Sequence, residues 1–216
     1  MAKYRSKTSQ RKIRQKIYVW SHAEIAEIQY FQSFKNYLGT HSLIANKKLC
    51  GTPWELVEKV IIWKEKNIDA EDQDQVWCVF DVDDFYENDQ KKFINAINKA
   101  HKHNIKIAYS NECFELWILL HFERTEYEIN RTDMVDKISK CFKRDGLGEF
   151  TKNQNVFDTL LCYQSKAIEN AKQLLASYEK IRWETKLSVS GNPSTSIHFL
   201  IEEINRLAQA EPIKNV

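Results

Sequence analysis

The run VWCVF at residues 76–80 is the most restrictive feature of the sequence. Five consecutive apolar residues bounded by acids are too few for a helix and read as a strand buried on both faces. A strand buried on both faces needs helices above and below it, which points to a parallel α/β sheet. The flanking chain agrees. IYVWS at 17–21 and IKIAY at 105–109 are further short β-rich runs, and a weaker strand is expected near Leu43–Lys47. Between them lie helical periods. Ala23 to Leu38 repeats Ile25, Ile28, Phe31, Phe34 and Leu38 at three- to four-residue spacing, with Gly39 at the expected C-terminus. Thr52-Pro53-Trp54-Glu55 is a helix start, with a Thr cap, Pro at the first position and Glu three residues after the cap. That helix carries Leu56, Val57, Val60, Ile61 and Trp63 on its apolar side. Asn88 or Asp89 caps another containing Phe93, Ile94, Ile97 and Ala100, and Phe114–Phe122 is an apolar helical segment. Strand and helix alternate, as in a parallel sheet with crossover helices.

After Arg131 the pattern becomes purely helical: Thr132–Arg144, Tyr163–Lys180 and Ser194–Ala208, with Ser194 after Pro193 as a plausible N-cap. The expected organisation is a basic arm at 1–16, an α/β core at 17–130, and a helical extension at 131–216 packed on that core. There is no internal repeat of the kind a solenoid requires.

Charge divides the chain less evenly than its total of +2 implies. Residues 1–16 hold seven basic groups and no acid, leaving 25 basic against 30 acidic groups in the remainder. Such an arm either attracts phosphates, with Arg11, Lys12, Arg14 and Lys16 as the contacts, or is a solvated tail. Five cysteines with no C-x-x-C spacing argue against a disulfide framework or a structural zinc, and for a reducing cytoplasm. No apolar run approaches a membrane span, and the N-terminus lacks the apolar segment of a secretory signal.

In open α/β sheets, ligands bind outside the carboxyl ends of the strands. Three strand ends are therefore candidates: Ser21-His22-Ala23-Glu24, Asp81-Val82-Asp83-Asp84 and Ser110-Asn111-Glu112. Asp81 and Asp83 stand two apart where an extended chain leaves the core, so their carboxylates are expected on one side. Two such oxygen donors suit Mg²⁺ or Mn²⁺. Residues 71–89 add to this with eight acids and no base. The alternative is a pair of turn or capping aspartates on a solvated loop. Glu115 interrupts a heavily apolar stretch and must be paired, coordinated or catalytic, since burying it alone is costly. His121 reads as a core histidine rather than a ligand. No G-x-S-x-G, P-loop or G-x-G-x-x-G is present.

Four separated segments then resemble one family. EIAEIQYF at 24–31, FDVDD at 80–84, SNECFELWILLHF at 110–122 and Asn192-Pro193-Ser194-Thr195 together resemble the RloB-like family over about residues 16–208. That family belongs with Toprim-fold proteins of bacterial antiphage and restriction-associated loci. The resemblance implies a Toprim-like Rossmannoid core, a mainly parallel sheet of about four strands flanked by helices. It also implies a general acid/base glutamate ending the first strand and a metal-holding D-x-D ending a later one. Asp81 and Asp83 match the D-x-D, Tyr30-Phe31 match the tyrosine-phenylalanine that follows the first acidic loop, and Glu27 matches the glutamate three residues before that tyrosine. The first-strand glutamate falls instead on His22, with Ala23 in place of the next glycine. Glu24, two residues on, could supply the missing carboxylate.

The implied function is a Mg²⁺- or Mn²⁺-dependent nuclease or related phosphoryl-transfer effector, acting on DNA or RNA in abortive-infection defence. Asp81, Asp83 and Glu24 would hold the metal, His22 with Glu24 or Glu27 would complete the site, and Glu115 would be a buried supporting carboxylate. The alternative is a non-catalytic module that binds nucleic acid or an AAA-type ATPase encoded nearby. Leu200, Ile201, Ile204 and Leu207 would then form its contact stripe, although such a stripe on a C-terminal helix reads first as intramolecular core. Homo-oligomerisation is open under both. A Toprim-type topoisomerase or primase is discounted, because the chain is too short for a strand-passage apparatus.

Overall fold

The computed structural model describes residues 15–22, 26–38, 43–45, 51–69, 72–177 and 191–210, apart from the side chains of Asp83, Asp84 and Ala210. Four strands are parallel: β1 (Ile17–Ser21), β2 (Leu43–Ala45), β3 (Gln75–Asp81) and β4 (Ile105–Asn111). A fifth, β5 (Ser194–Thr195), lies antiparallel to β4, and the order across the sheet is β2-β1-β3-β4-β5. The mainly parallel α/β sheet read from the sequence is thus present, with one strand more than expected.

Helices cover both faces because the central strands are apolar on both. On one face, Val76, Cys78, Phe80, Ile105, Ile107 and Tyr109 pack against α2 (Pro53–Asn67) and α4 (Gln90–Lys102). On the other, Ile17, Val19, Trp77, Val79 and Ala108 meet α1 (Ala26–Leu38), α5 (Glu115–Leu120) and α6 (Arg131–Arg144). The same cluster continues through α7 (Phe157–Leu160), α8 (Gln164–Ala176) and α9 (Ile197–Ala210). A short helix, α3 (Asp83–Asn88), follows β3 directly.

Local signals account for the helix starts. The Thr52 hydroxyl accepts from Glu55 N–H and the Glu55 carboxylate accepts from Thr52 N–H, completing the capping box at α2. Gly51 just before it has φ +131°, and a Cβ there would run into the Glu55 side chain. Asp89, not Asn88, caps α4 by accepting from Lys92 N–H at 2.9 Å. The expected cap at Ser194 is a correction. Ser194 and Thr195 form β5, the Thr195 hydroxyl donates to the Tyr109 carbonyl at 2.8 Å, and helix α9 starts only at Ile197. The stripe Leu200, Ile201, Ile204 and Leu207 is buried inside the shared core, so it is not a free contact surface. Of the cysteines, Cys78, Cys113 and Cys141 are buried and Cys162 is exposed, while Cys50 lies outside the described residues. No helix among the described residues is long and apolar enough to cross a membrane.

Candidate functional site at the carboxyl ends of the strands

The sheet order creates a crevice. From β1 the chain goes outward to β2 on one side, then returns to β3 on the other. The crossovers thus diverge between β1 and β3, and the carboxyl ends there form the natural ligand position of such a sheet. Ser21 is in register with Val79, and Asp81 with Ser110. By strand alternation Ser21 and Asp81 project to the α1/α5/α6 side of the sheet.

Asp81 is the last strand residue, with its side chain 14% exposed. The guanidinium of Arg131 reaches it, Nη2 to Oδ2 at 3.5 Å. Val82 then takes helical angles, φ −73° and ψ −49°, and α3 begins at Asp83. This corrects the extended D-x-D expected from the sequence: the chain turns between the two aspartates, so strand alternation does not set the direction of Asp83.

Glu27 is buried in the first turn of α1, where its Oε2 accepts the hydroxyl of Ser21. That contact ties the start of α1 to the end of β1. Glu115, first residue of α5, is buried, two residues after the buried Cys113. Burial raises the Cys113 pKa, and the negative charges of Glu115 and Asp81 raise it further, against the opposing charge of Arg131. A thiol kept in its neutral form in this way is a poor nucleophile. One buried thiol thus feels Asp81, Glu115 and Arg131 together.

His22, just past β1, donates its backbone N–H to the Val79 carbonyl at 3.3 Å, and its ring meets Phe85 edge-on with centroids 5.7 Å apart. Phe85 belongs with the α2/α4 cluster, so His22 stands toward the opposite side of the sheet from Arg131. Glu24 lies outside the described residues, as do Arg11, Lys12 and Arg14. Lys16 is described, and its backbone N–H donates to Asp74 Oδ1 at 2.7 Å at the amino end of β1. At about 3.3 Å per residue, the length of β1 separates it from the crevice by roughly 16 Å.

Among the described residues, no group of three or more His, Cys, Asp or Glu side chains is gathered closely enough to hold a metal ion. Asp81 itself has the right chemistry for one ligand, a carboxylate oxygen at the crevice whose charge already attracts a cation. Asp81 is thus a single candidate ligand, and the described residues place no second carboxylate beside it to complete a metal site.

Arg131 was not among the residues singled out by sequence. Its signal there is weak: a cation at the first position of α6, just after the Asn130 cap, where the helix dipole disfavours positive charge.

His121 is a core residue. It is fully buried, Nδ1 lies 2.8 Å from the Trp117 carbonyl and so carries the proton, and burial pulls its pKa down to about 4. Burial also lowers His198 to about 4. Both histidines titrate near 6.5 when unfolded. The unfolded chain therefore binds more protons between about pH 4 and 6.5, and stability falls as pH drops through that window. His121→Gln should reduce this loss by roughly half, leaving the His198 part, as read from urea midpoints between about pH 4 and 7.

The family model described as RloB-like protein matches residues 17–204. The chain belongs to the RloB-like family. No curated protein and no solved structure matches it significantly. The match takes in all five strands and ends within α9, so the family's shared region contains every residue of the crevice described above.

Proposed function

We propose that this RloB-like protein is a Mg²⁺- or Mn²⁺-dependent nuclease with a Toprim-like core, acting on DNA or RNA in bacterial antiphage defence. The observation that carries the reading is Asp81: a largely buried carboxylate ending a central parallel strand, beside the crevice where the crossovers diverge. Asp81 would hold the metal together with Asp83, Glu24 or both. Bound there, the ion would supply polarisation of the phosphodiester and a nucleophile usable at neutral pH.

The protein's own groups would do the rest. Ser21 fixes Glu27 at the root of the first loop. Glu115, buried at the start of α5, would be a supporting carboxylate behind the site. His22, whose ring packs on Phe85 toward the α2/α4 side, would act as a proton acceptor only if it turned toward the Asp81 side of the crevice. The defence role and the Toprim-like assignment are carried over from the family resemblance.

The test is cleavage of labelled tRNA, single-stranded DNA and duplex DNA by the full chain, with Mg²⁺ or Mn²⁺ and with chelator. Metal-restored cleavage of at least one substrate is expected. Absence of metal binding by calorimetry, together with no cleavage of any substrate, would overturn the reading in favour of a non-catalytic module.

A further inference from the structure

The outer edge of β4 is only half covered. β5 pairs with Ser110 and Asn111 alone, and among the described residues no strand lies beside Ile105–Ala108 on that side. Tyr109 shows which main-chain groups face outward. Its N–H donates to the Ser196 hydroxyl at 3.0 Å, and its carbonyl accepts the Ser196 N–H at 2.9 Å. Every second residue of a strand turns its main chain to the same side, so Ile107 and Ile105 present theirs along this edge. The Ile107 carbonyl meets the Ser196 hydroxyl at 3.5 Å, the long limit of a hydrogen bond. Beside the edge lies a cavity of about 700 Å³, walled by Trp77, Ile105, Lys106 and Ile107 on the sheet and by Phe199 and Arg206 on α9. At its rim Glu203 accepts from Arg206 at 2.8 Å and pairs with Lys106 at 3.6 Å, while Glu202 is taken by Lys172 at 2.5 Å. Three cations thus face two acids. The further partners of Lys106 and Arg206, the side-chain carbonyls of Gln75 and Gln15, are neutral and leave that balance unchanged. Lys106 and Arg206 are also the outward members of their pairs, 47% and 56% exposed against 28% for Glu203.

We propose that this edge is a strand-addition site for an extended acidic peptide of a partner protein. The main chains of Ile105 and Ile107 supply the hydrogen bonds, and the two faces of the edge supply the selectivity. Lys106 projects to the α9 side of the sheet, its ammonium 5.1 Å above the Trp77 ring. Ile105 and Ile107 project to the α2/α4 side. An added strand therefore meets cations on one face and apolar side chains on the other, which suits a peptide alternating acidic and apolar residues. The same lysine disfavours a second copy of this chain as the occupant, since edge-to-edge pairing would bring like charges together. The site lies at the amino end of β4, away from the crevice at the carboxyl end of β3, and needs no metal.

The test uses the full chain and a short fluorescein-labelled peptide of alternating valine and glutamate, followed by anisotropy and by amide hydrogen exchange. Saturable binding is expected, with exchange of the Ile107 amide slowed about tenfold at saturation. N-methylation of the peptide amides along one edge should abolish binding, and methylation along the other should leave it within about twofold, because only one edge of an added strand pairs with β4. Lys106→Glu should weaken binding about tenfold and turn the preference toward a valine–lysine peptide. Arg206→Glu, at a more exposed position, repeats the charge test should Lys106→Glu fail to fold. Four results overturn the proposal: no binding at about 1 mM peptide, binding without protection of the Ile107 amide, equal loss from methylating either edge, or equal affinity of wild type for the valine–lysine peptide. A single-stranded oligonucleotide that displaces the bound peptide and binds more tightly also overturns it, and assigns the cations to nucleic acid instead.

Discussion

Asp81→Asn is expected to lower metal-dependent cleavage by about a thousandfold while leaving the fold intact, since metal stabilisation of the transition state is worth several kcal/mol. Asparagine has the shape of aspartate and keeps an oxygen able to accept from Arg131, so packing at the end of β3 is preserved. What it loses is the charge that a hard divalent cation requires. Glu115→Gln should cost far less, because that carboxylate is buried at the start of α5 rather than at the mouth of the crevice. Rates at saturating Mn²⁺, with thermal melts as the control for folding, check the pair. Cleavage by Asp81→Asn within tenfold of wild type would remove Asp81 from the metal site.

The second large effect concerns stability. Trp117 is fully buried in the middle of α5, with its ring edge-on to His121 at 4.9 Å between centroids. Every residue of α5 is buried, so little around this position can move into a cavity. Trp117→Ala should therefore destabilise the protein by about 3–5 kcal/mol. For a chain of this size that is about 10 °C in Tm. Trp54 is the comparison. It sits partly exposed at the start of α2, with the Lys92 ammonium 4.3 Å above its ring, and its replacement by Ala should cost about 1 kcal/mol. Urea unfolding of the two variants side by side measures the difference. Equal losses would mean that α5 is not packed as described.

The parts of the fold legible in the sequence were those governed by local chemistry. β1 and β4 are apolar because both of their faces are covered. The starts of α2 and α4 are visible because a cap acts on backbone groups within three residues of itself. β5 was illegible for the opposite reason. Two residues carry no period, Ser and Thr serve equally as caps, and the strand that Ser194–Thr195 pairs with, at Ser110 and Asn111, is more than 80 residues away. The candidate site divides in the same way. Asp81 is found by the rule of strand ends and Glu115 by the cost of burying its charge. Arg131 depends on a partner 50 residues distant, and the helical turn at Val82 leaves no mark on a D-x-D motif.

The placement of β5 and α9 has a consequence for how the protein is made. The apolar face of the sheet that meets α1 and α5 is completed by Leu200, Ile201, Ile204 and Leu207, and the carboxyl half of β4 is bordered by Ser194 and Thr195. A nascent chain that has emerged only through α8 has an unfinished interior and an uncovered strand edge, so the final cooperative step waits for the last described helix to leave the ribosome. Until then the carboxyl ends of β3 and β4 have only part of their support. A nuclease active in this reading would acquire its working geometry at the end of synthesis, and truncation before Ser194 would give an aggregation-prone fragment rather than a smaller enzyme.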